Sequence, residues 1–206
     1  MDRDLTLYTH PLSRGRTVRW MLEEIGVPYR VEPLAFGTTM KSPEYLAVNP
    51  MGKVPALRHG NVVVTECAAI CAYLADAFPQ AQLAPPPLER GAYYRWLFFA
   101  AGPLEAAITD RALGVEPTDR QRGFVGYGSF DAVVETLDRA LTGCEYIAGD
   151  RISAADVYVG ASVAFALQFG SLPRRDSLVA YADRLAQRPA RQRAMRLDDE
   201  LLDAMR

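Results

Sequence analysis

A proline at position 55 interrupts an otherwise strand-like run, residues 52–57 (GKVPAL), and this feature constrains the fold most. Proline has no N–H to give to a β ladder, so within sheets it occurs at edges, bulges and tight turns, including cis turns. A turn signal follows at 58–61, then a β-branched strand at 62–64 and a helical pattern over 66–74. The stretch therefore predicts strand, turn, strand and helix in succession, behind a proline-locked loop.

The chain before this stretch completes a small α/β domain. Alternating residues at 5–8 predict a strand, residues 13–25 a helix, and residues 28–34 a second strand. A strand–helix–strand unit of this length implies parallel pairing with a right-handed crossover. A serine, a proline and a glutamate open a short helix at 42–48. The resulting order, βαβαββα, is that of a thioredoxin-like domain, and we assign it to residues 1–78.

A proline-rich linker, residues 79–87, separates this domain from a second one. Three consecutive prolines stop any helix and hold an extended connector. Residues 88–206 then show helical patterns and no convincing strand, which predicts an all-helical bundle. Ser153 and Asp156 have the spacing of a capping box, at the head of a helix that is apolar nearly all round and is therefore expected at the centre. The helical patterns cover residues 88–113 with a kink at Gly102–Pro103, 130–141, the segment that Ser153 opens, 177–187 and 190–195.

Composition excludes several classes of function. The chain has 206 residues, a formal net charge of −2 and half of its residues hydrophobic, which is unlike the basic field of a nucleic-acid binder. Its three cysteines, Cys67, Cys71 and Cys144, share no metal-ligand spacing and suggest no disulfide framework. No apolar run is long enough to span a bilayer, and no leader pattern is visible. We therefore expect a cytoplasmic protein without a metal, a nucleic-acid partner or a membrane contact.

Residues 49–57 (NPMGKVPAL) followed by 66–70 (ECAAI) resemble the glutathione-binding signature of glutathione S-transferases. The domain order is similar over essentially the whole chain, and the early serine resembles the theta and phi classes in a bacterial-type member. The resemblance implies a glutathione transferase with glutathione as co-substrate, a small electrophile as second substrate, and a homodimer. It also implies an electrophile pocket between Ser13 and the helical domain, walled by the aromatic stretch 93–99.

Glutathione is an extended tripeptide, and the resemblance implies which residues bind its parts. Val54 is predicted to precede a cis Pro55 and to pair through its backbone with the cysteinyl part, like a short antiparallel strand. Glu66 and Cys67, at the head of a helix, are predicted to hold the γ-glutamyl end, away from the sulfur. Cys67 departs from the serine usual in the family, and a thiol is the weaker donor.

Two lysines are the candidates for the glycyl carboxylate. Lys41 precedes the second helix and Lys53 lies beside the Val54-Pro55 pair, and they are the only lysines in the chain. Without the motif, both would be taken for ordinary solvated surface lysines.

Ser13 is the catalytic candidate. It follows a strand and a short loop, at the spacing at which the theta and phi classes place a serine that donates a hydrogen bond to the glutathione sulfur. A hydroxyl donor and a helix N-terminus both favour thiolate over thiol. Ser13 could also be a plain helix N-cap, and both roles are compatible. Tyr8 is the second candidate for thiolate stabilisation and Arg14 the third.

Two alternatives to transfer remain open from the sequence. One is glutathione-dependent peroxide reduction at the same site. The other is a non-catalytic scaffold that binds glutathione or apolar ligands, because fold alone does not fix function. Ser13→Ala separates the scaffold from an enzyme, since in a pure binder this change should leave glutathione binding and any background turnover unchanged.

Overall fold

A computed structural model of the chain describes residues 4–206. Four strands form one mixed sheet in the order β2-β1-β3-β4. β1 runs parallel to β2 and antiparallel to β3, and β3 runs antiparallel to β4. This topology confirms the thioredoxin-like order. The strands are β1 (Leu5–Thr9), β2 (Arg30–Pro33), β3 (Ala56–His59) and β4 (Val62–Thr65).

Three helices accompany the sheet: α1 (Gly15–Ile25), α2 (Pro43–Leu46) and α3 (Cys67–Ala77). α1 is amphipathic, and its apolar face, which includes Val18, Met21 and Leu22, is completely buried. It ends at Gly26, whose φ of 74° is a conformation that glycine adopts without a Cβ penalty. The Ser42 side chain caps α2 by accepting a hydrogen bond from the Tyr45 N–H, as the sequence predicts.

Between residue 82 and Ala186 the chain is mainly helical, and the longest irregular connection lies between Leu141 and Ala154. The predicted kink corresponds to a π-helical segment, Ala100–Leu104, which contains Pro103. The capping box of Ser153 and Asp156 is confirmed, because each side chain bonds the other's backbone N–H. The short α6 lies between the predicted helical patterns of residues 88–113 and 130–141 and was not predicted. The helices are α4 (Gly91–Phe99), α5 (Glu105–Ala112), α6 (Asp119–Arg122), α7 (Phe130–Leu141), α8 (Ala154–Gln168) and α9 (Asp176–Ala186).

The last helix, α10 (Pro189–Ala204), differs most from the sequence-based expectation. A short helix at 190–195 was expected within the helical domain, whereas α10 has 16 residues. The chain divides into two compact units, and α10 belongs to the unit of the sheet: one unit holds the described residues up to Gln82 together with Gln187–Arg206, the other Leu83–Ala186. This division departs from the predicted helical domain of 88–206, because α10 packs along α1.

Candidate functional site

The predicted site residues leave the sheet at one end. Tyr8 pairs with Ala56, which in turn pairs with Thr65, and Thr9 pairs with Pro33. The segments that follow β1, β2 and β4 and the segment that precedes β3 therefore lie at the same end of the sheet. Four segments meet at that end: the turn of Ser13, the segment of Lys41, the loop of Lys53, Val54 and Pro55, and the start of α3 at Glu66 and Cys67.

The Val54-Pro55 peptide bond is cis, which confirms the prediction. Two side chains hold the carbonyl just before it: the Tyr45 hydroxyl donates to the Lys53 oxygen at 2.5 Å and the Asn49 amide donates to it at 2.8 Å. Burial raises the pKa of Tyr45 to about 12, so its hydroxyl keeps the proton that it donates. Among the described residues, no hydrogen bond involves the backbone N–H or C=O of Val54.

Neither Tyr45 nor Asn49 was predicted to belong to the site. Asn49 could have been found, because an Asn-Pro pair ahead of a glycine is a turn signal. Tyr45 gives no such signal, since it stands in an ordinary helical pattern and reaches Lys53 only in the folded chain.

The two candidate lysines lie at one turn. Lys41 Nζ donates to the Met51 carbonyl at 3.0 Å. Lys53 follows Met51 by two residues and is exposed. Gly52 between them has a φ of 56°, and a Cβ there would lie 2.7 Å from both Lys41 Nζ and the Met40 oxygen. The turn thus requires glycine, and its absence of a side chain leaves room for the Lys41 side chain.

The start of α3 is strained and open. Glu66 is exposed and adopts φ 66° and ψ 117°, a conformation that costs a non-glycine residue about 1–3 kcal/mol. Its carboxylate makes no capping hydrogen bond, so capping does not explain the residue. Cys67 is buried, with its Sγ 3.7 Å from the Arg14 carbonyl oxygen. A hydrogen bond with Cys67 and complete burial raise the pKa of the Cys71 thiol, which fits a core residue.

Ser13 lies one residue ahead of the helix cap. α1 begins at Gly15 with Arg14 at the N-cap position, so the alternative that Ser13 is the N-cap residue does not hold. The Ser13 hydroxyl donates to the His10 carbonyl at 2.7 Å and accepts from the Gly15 N–H at 3.0 Å. A Cβ on Gly15 would lie 1.8 Å from the Thr9 Oγ1, so the first residue of α1 must be glycine for the helix to start this close to β1.

The other two candidates for thiolate stabilisation differ in their surroundings. The Tyr8 hydroxyl accepts a hydrogen bond from Arg58 Nε at 3.2 Å. Its ring lies 5.6 Å from that of Tyr45 and packs on the cluster of Leu34, Met40 and Ala56. Arg14 is exposed at the start of α1.

Two kinds of feature are missing from residues 4–206. No helix there combines the length and the apolar character needed to cross a bilayer. No group of three or more histidine, cysteine, aspartate or glutamate side chains in the same range is placed to hold a metal ion.

Comparisons with known proteins agree with this geometry. The family model for the glutathione S-transferase N-terminal domain matches residues 13–77. Glutathione S-transferase 1 of Zea mays is 34% identical over 66% of this chain and 68% of its own length. Glutathione S-transferase GstA of Escherichia coli O157:H7 is 31% identical over 74% of this chain and 77% of its own. A sphingomonad glutathione S-transferase solved with glutathione superposes with a TM-score of 0.77 at 27% identity, over 94% of this chain and 98% of the other.

A mixed four-stranded sheet with a cis-proline loop, followed by a helical region, thus defines a thioredoxin-like transferase fold. The chain belongs to the glutathione S-transferase family of enzymes. The resemblance read from the sequence is confirmed at this level, while the roles of the individual site residues stay predictions.

Proposed function

We propose that the chain is a glutathione transferase that binds glutathione at this end of the sheet, holds it as thiolate through Ser13 and delivers the sulfur to a small electrophile. One observation carries the proposal: among the described residues the backbone of Val54 has no hydrogen-bond partner, and it lies at the same end of the sheet as the Ser13 turn and the open N-terminus of α3. A backbone N–H and C=O left without partners beside a helix N-terminus suit an extended peptide that ends in a carboxylate.

Each part of glutathione has a candidate partner there. The cysteinyl backbone pairs with Val54. Glu66 takes the amino group, and the N–H groups at Cys67 and the α3 dipole take the γ-glutamyl carboxylate. Lys41 and Lys53 take the glycyl carboxylate. The strained backbone of Glu66 supports this assignment, since glycine would fit that backbone more easily, yet the position carries a side chain that makes no capping hydrogen bond.

Ser13 activates the sulfur in this proposal. Its hydroxyl hydrogen now points to the His10 carbonyl, and rotation about the Cβ–Oγ bond turns it to an incoming sulfur. The Gly15 N–H donates to the Ser13 Oγ atom. This contact keeps Oγ in place and makes the hydroxyl a better donor. Each unit by which the thiol pKa falls corresponds to about 1.4 kcal/mol of preference for thiolate.

The experiment compares wild type, Ser13→Ala and Ser162→Ala. Ser162 is a matched control, because its hydroxyl also donates to a backbone carbonyl, that of Tyr158, but in α8. Glutathione binding is measured by calorimetry, and thiolate by its ultraviolet band against pH. We expect all three proteins to bind, with thiolate near neutral pH only in wild type and Ser162→Ala. Thiolate in all three assigns the donor to Tyr8 or Arg14 instead. Absence of binding in wild type contradicts the transferase proposal.

The homodimer belongs to the same proposal. β4 is an edge strand whose Val62 and Val63 are 46% and 40% exposed, and such apolar edges are usually covered. Light scattering on the wild-type protein tests the homodimer. We expect the molar mass of two chains, and the mass of a single chain would contradict the proposal.

A further inference from the structure

α10 is fastened along α1 by ion pairs. The central pair joins Arg19 Nε to Asp198 Oδ1 at 2.8 Å, and their side chains are only 5% and 1% exposed. Further pairs at the same face join Arg188 to Glu24 at 2.6 Å and Arg193 to Glu23 at 3.1 Å. Charged contacts spread over both helices fix their register, so neighbouring side chains on α10 have defined positions relative to the N-terminal end of α1.

One of these neighbours, Asp199, is connected through Arg16 to the turn that carries Ser13. Arg16 Nη2 pairs with Asp199 Oδ1 at 2.6 Å, and Arg16 Nε donates to the Pro11 carbonyl at 2.5 Å. The guanidinium group is a rigid fork, so a carboxylate on one nitrogen orients the other. Asp199 thereby sets the direction from which Arg16 holds the Pro11 carbonyl.

The Pro11 carbonyl and the Leu12 N–H belong to one planar peptide group. Arg16 holds its oxygen, and the Nδ1 atom of the His10 ring accepts its N–H at 3.1 Å. The plane is therefore fixed from both sides. Ser13 follows directly and returns two hydrogen bonds to the His10 carbonyl, from its N–H at 2.9 Å and its hydroxyl at 2.7 Å.

We propose that Arg16, held by Asp199 of α10, is a positioning residue for the Ser13 hydroxyl, so that the C-terminal helix takes part in activating glutathione. The inference rests on the proposed function, because it concerns the placement of the thiolate donor. Arg16 does not act on the sulfur itself: its fork already binds the Pro11 carbonyl and Asp199.

Partial exposure of this pair separates positioning from stability. The side chains of Arg16 and Asp199 are 31% and 62% exposed, unlike the buried pair beside them. Exposed pairs contribute little to folding, so their loss should leave the protein folded. A change in the bound thiol is then a readout that a merely structural role would not move.

The test uses Arg16→Gln, Asp199→Asn, their double variant and Asp199→Glu. Asp203→Asn is the matched control, since Asp203 lies on the same helix and pairs with Arg206, at 3.2 Å, away from Arg16. The measurements are the pKa of enzyme-bound glutathione, from the ultraviolet thiolate band, and kcat and KM with a common electrophile. For Arg16→Gln we expect a higher thiol pKa and a loss of about tenfold in kcat with KM nearly unchanged, because small misplacements of catalytic groups are costly.

We expect Asp199→Asn to shift both quantities in the same direction by less, and Asp199→Glu to restore most of the loss. The double variant should be no worse than Arg16→Gln alone, since the two residues act through one contact. Additive losses, or an Asp199→Asn profile equal to that of Asp203→Asn, overturn the inference. If Arg16→Gln proves unstable, Asp199→Asn decides alone.

Ser13→Ala in the same assay distinguishes the two levels of the argument. A raised thiol pKa in Ser13→Ala together with an unchanged one in Arg16→Gln contradicts this inference and leaves the proposed function intact. An unchanged thiol pKa in Ser13→Ala removes the donor role itself, and the inference fails with it.

Discussion

Asp198 in the first compact unit and Asp156 in the second are both completely buried, yet they are accommodated in different ways. Asp156 accepts hydrogen bonds from the Ile147 N–H, the Ser153 N–H, the Ser153 hydroxyl and the Tyr181 hydroxyl, at 2.8 to 3.0 Å. Asp198 receives its ion pair from Arg19, and its Oδ2 has no hydrogen-bond partner in the part of the chain that the structure describes. Burial raises the pKa of both carboxyls.

The difference concerns what each carboxylate organises. Asp156 gathers neutral donors, half of them from the adjacent Ser153, and so fixes where α8 begins. Asp198 compensates one charge that lies 179 residues away and so docks α10 on α1. A buried charge with one partner depends wholly on that partner, whereas a carboxylate with several neutral donors distributes the dependence.

The largest effect should come from breaking the ion pair. Asp198→Ala leaves the Arg19 guanidinium buried without its partner, and we expect a loss of about 3–5 kcal/mol in unfolding free energy. Denaturant titration measures it. Replacing both residues, as Arg19→Met with Asp198→Leu, should recover most of the loss, because no uncompensated charge remains. A double variant as unstable as the single one contradicts this account.

A smaller effect is expected for Asp156→Asn. One amide oxygen can still accept from Ile147 and Tyr181, but the amide nitrogen faces the Ser153 N–H, which loses its acceptor. We expect a cost of about 1–3 kcal/mol in the same titration. Asp150→Asn is the control, since its side chain is 95% exposed, and it should change little. No second substitution can rescue Asp156→Asn as the double variant rescues the ion pair, because backbone groups are among its partners.

His10 extends the comparison to a group that must stay neutral. Its Nδ1 accepts from the Leu12 N–H, its ring lies 4.1 Å from that of Phe36, and burial lowers its pKa from the ordinary value of 6.5. Between 6.5 and the lowered pKa the unfolded chain binds more protons, so stability should fall as pH falls, by at most about 1.4 kcal/mol per pH unit. His10→Asn retains an acceptor without a titrating ring, and stability curves of the two proteins that stay parallel across this window would falsify the assignment.

The smallest stability effect is expected for the exposed neighbour of the buried pair. Asp199→Asn should change the unfolding free energy by less than about 1 kcal/mol. Thermal unfolding beside Asp198→Ala measures both on one helix. A loss near that of Asp198→Ala would mean that Asp199 anchors α10 as Asp198 does, and that its influence on the Ser13 turn is part of general stability.

Features set by neighbours in the chain could be read from the sequence. The α7 helix has the predicted limits, because its apolar residues recur at helical spacing behind the Ser129 cap. The box of Ser153 and Asp156 was visible for the same reason, and the cis bond before Pro55 followed from a proline in a strand pattern within a family signature. In each case the interacting groups lie within a few residues of one another.

Ser13 shows where such reading stops. The sequence places Ser13 beside the start of α1, but the N-cap position belongs to Arg14, and the Ser13 hydroxyl instead accepts the N–H of Gly15. The close approach of Gly15 to Thr9 is set by the path of the turn between β1 and α1.

The sequence by itself determined the order of the elements, the glutathione signature and the family, since all of these depend on local pattern. Only the tertiary structure decided that α10 joins the unit of the sheet, that Tyr45 holds the Lys53 carbonyl, and that Arg16 connects Pro11 to Asp199. The last contact spans 183 residues. Charged side chains on an exposed helix face are compatible with many partners, and packing of the whole chain selects one.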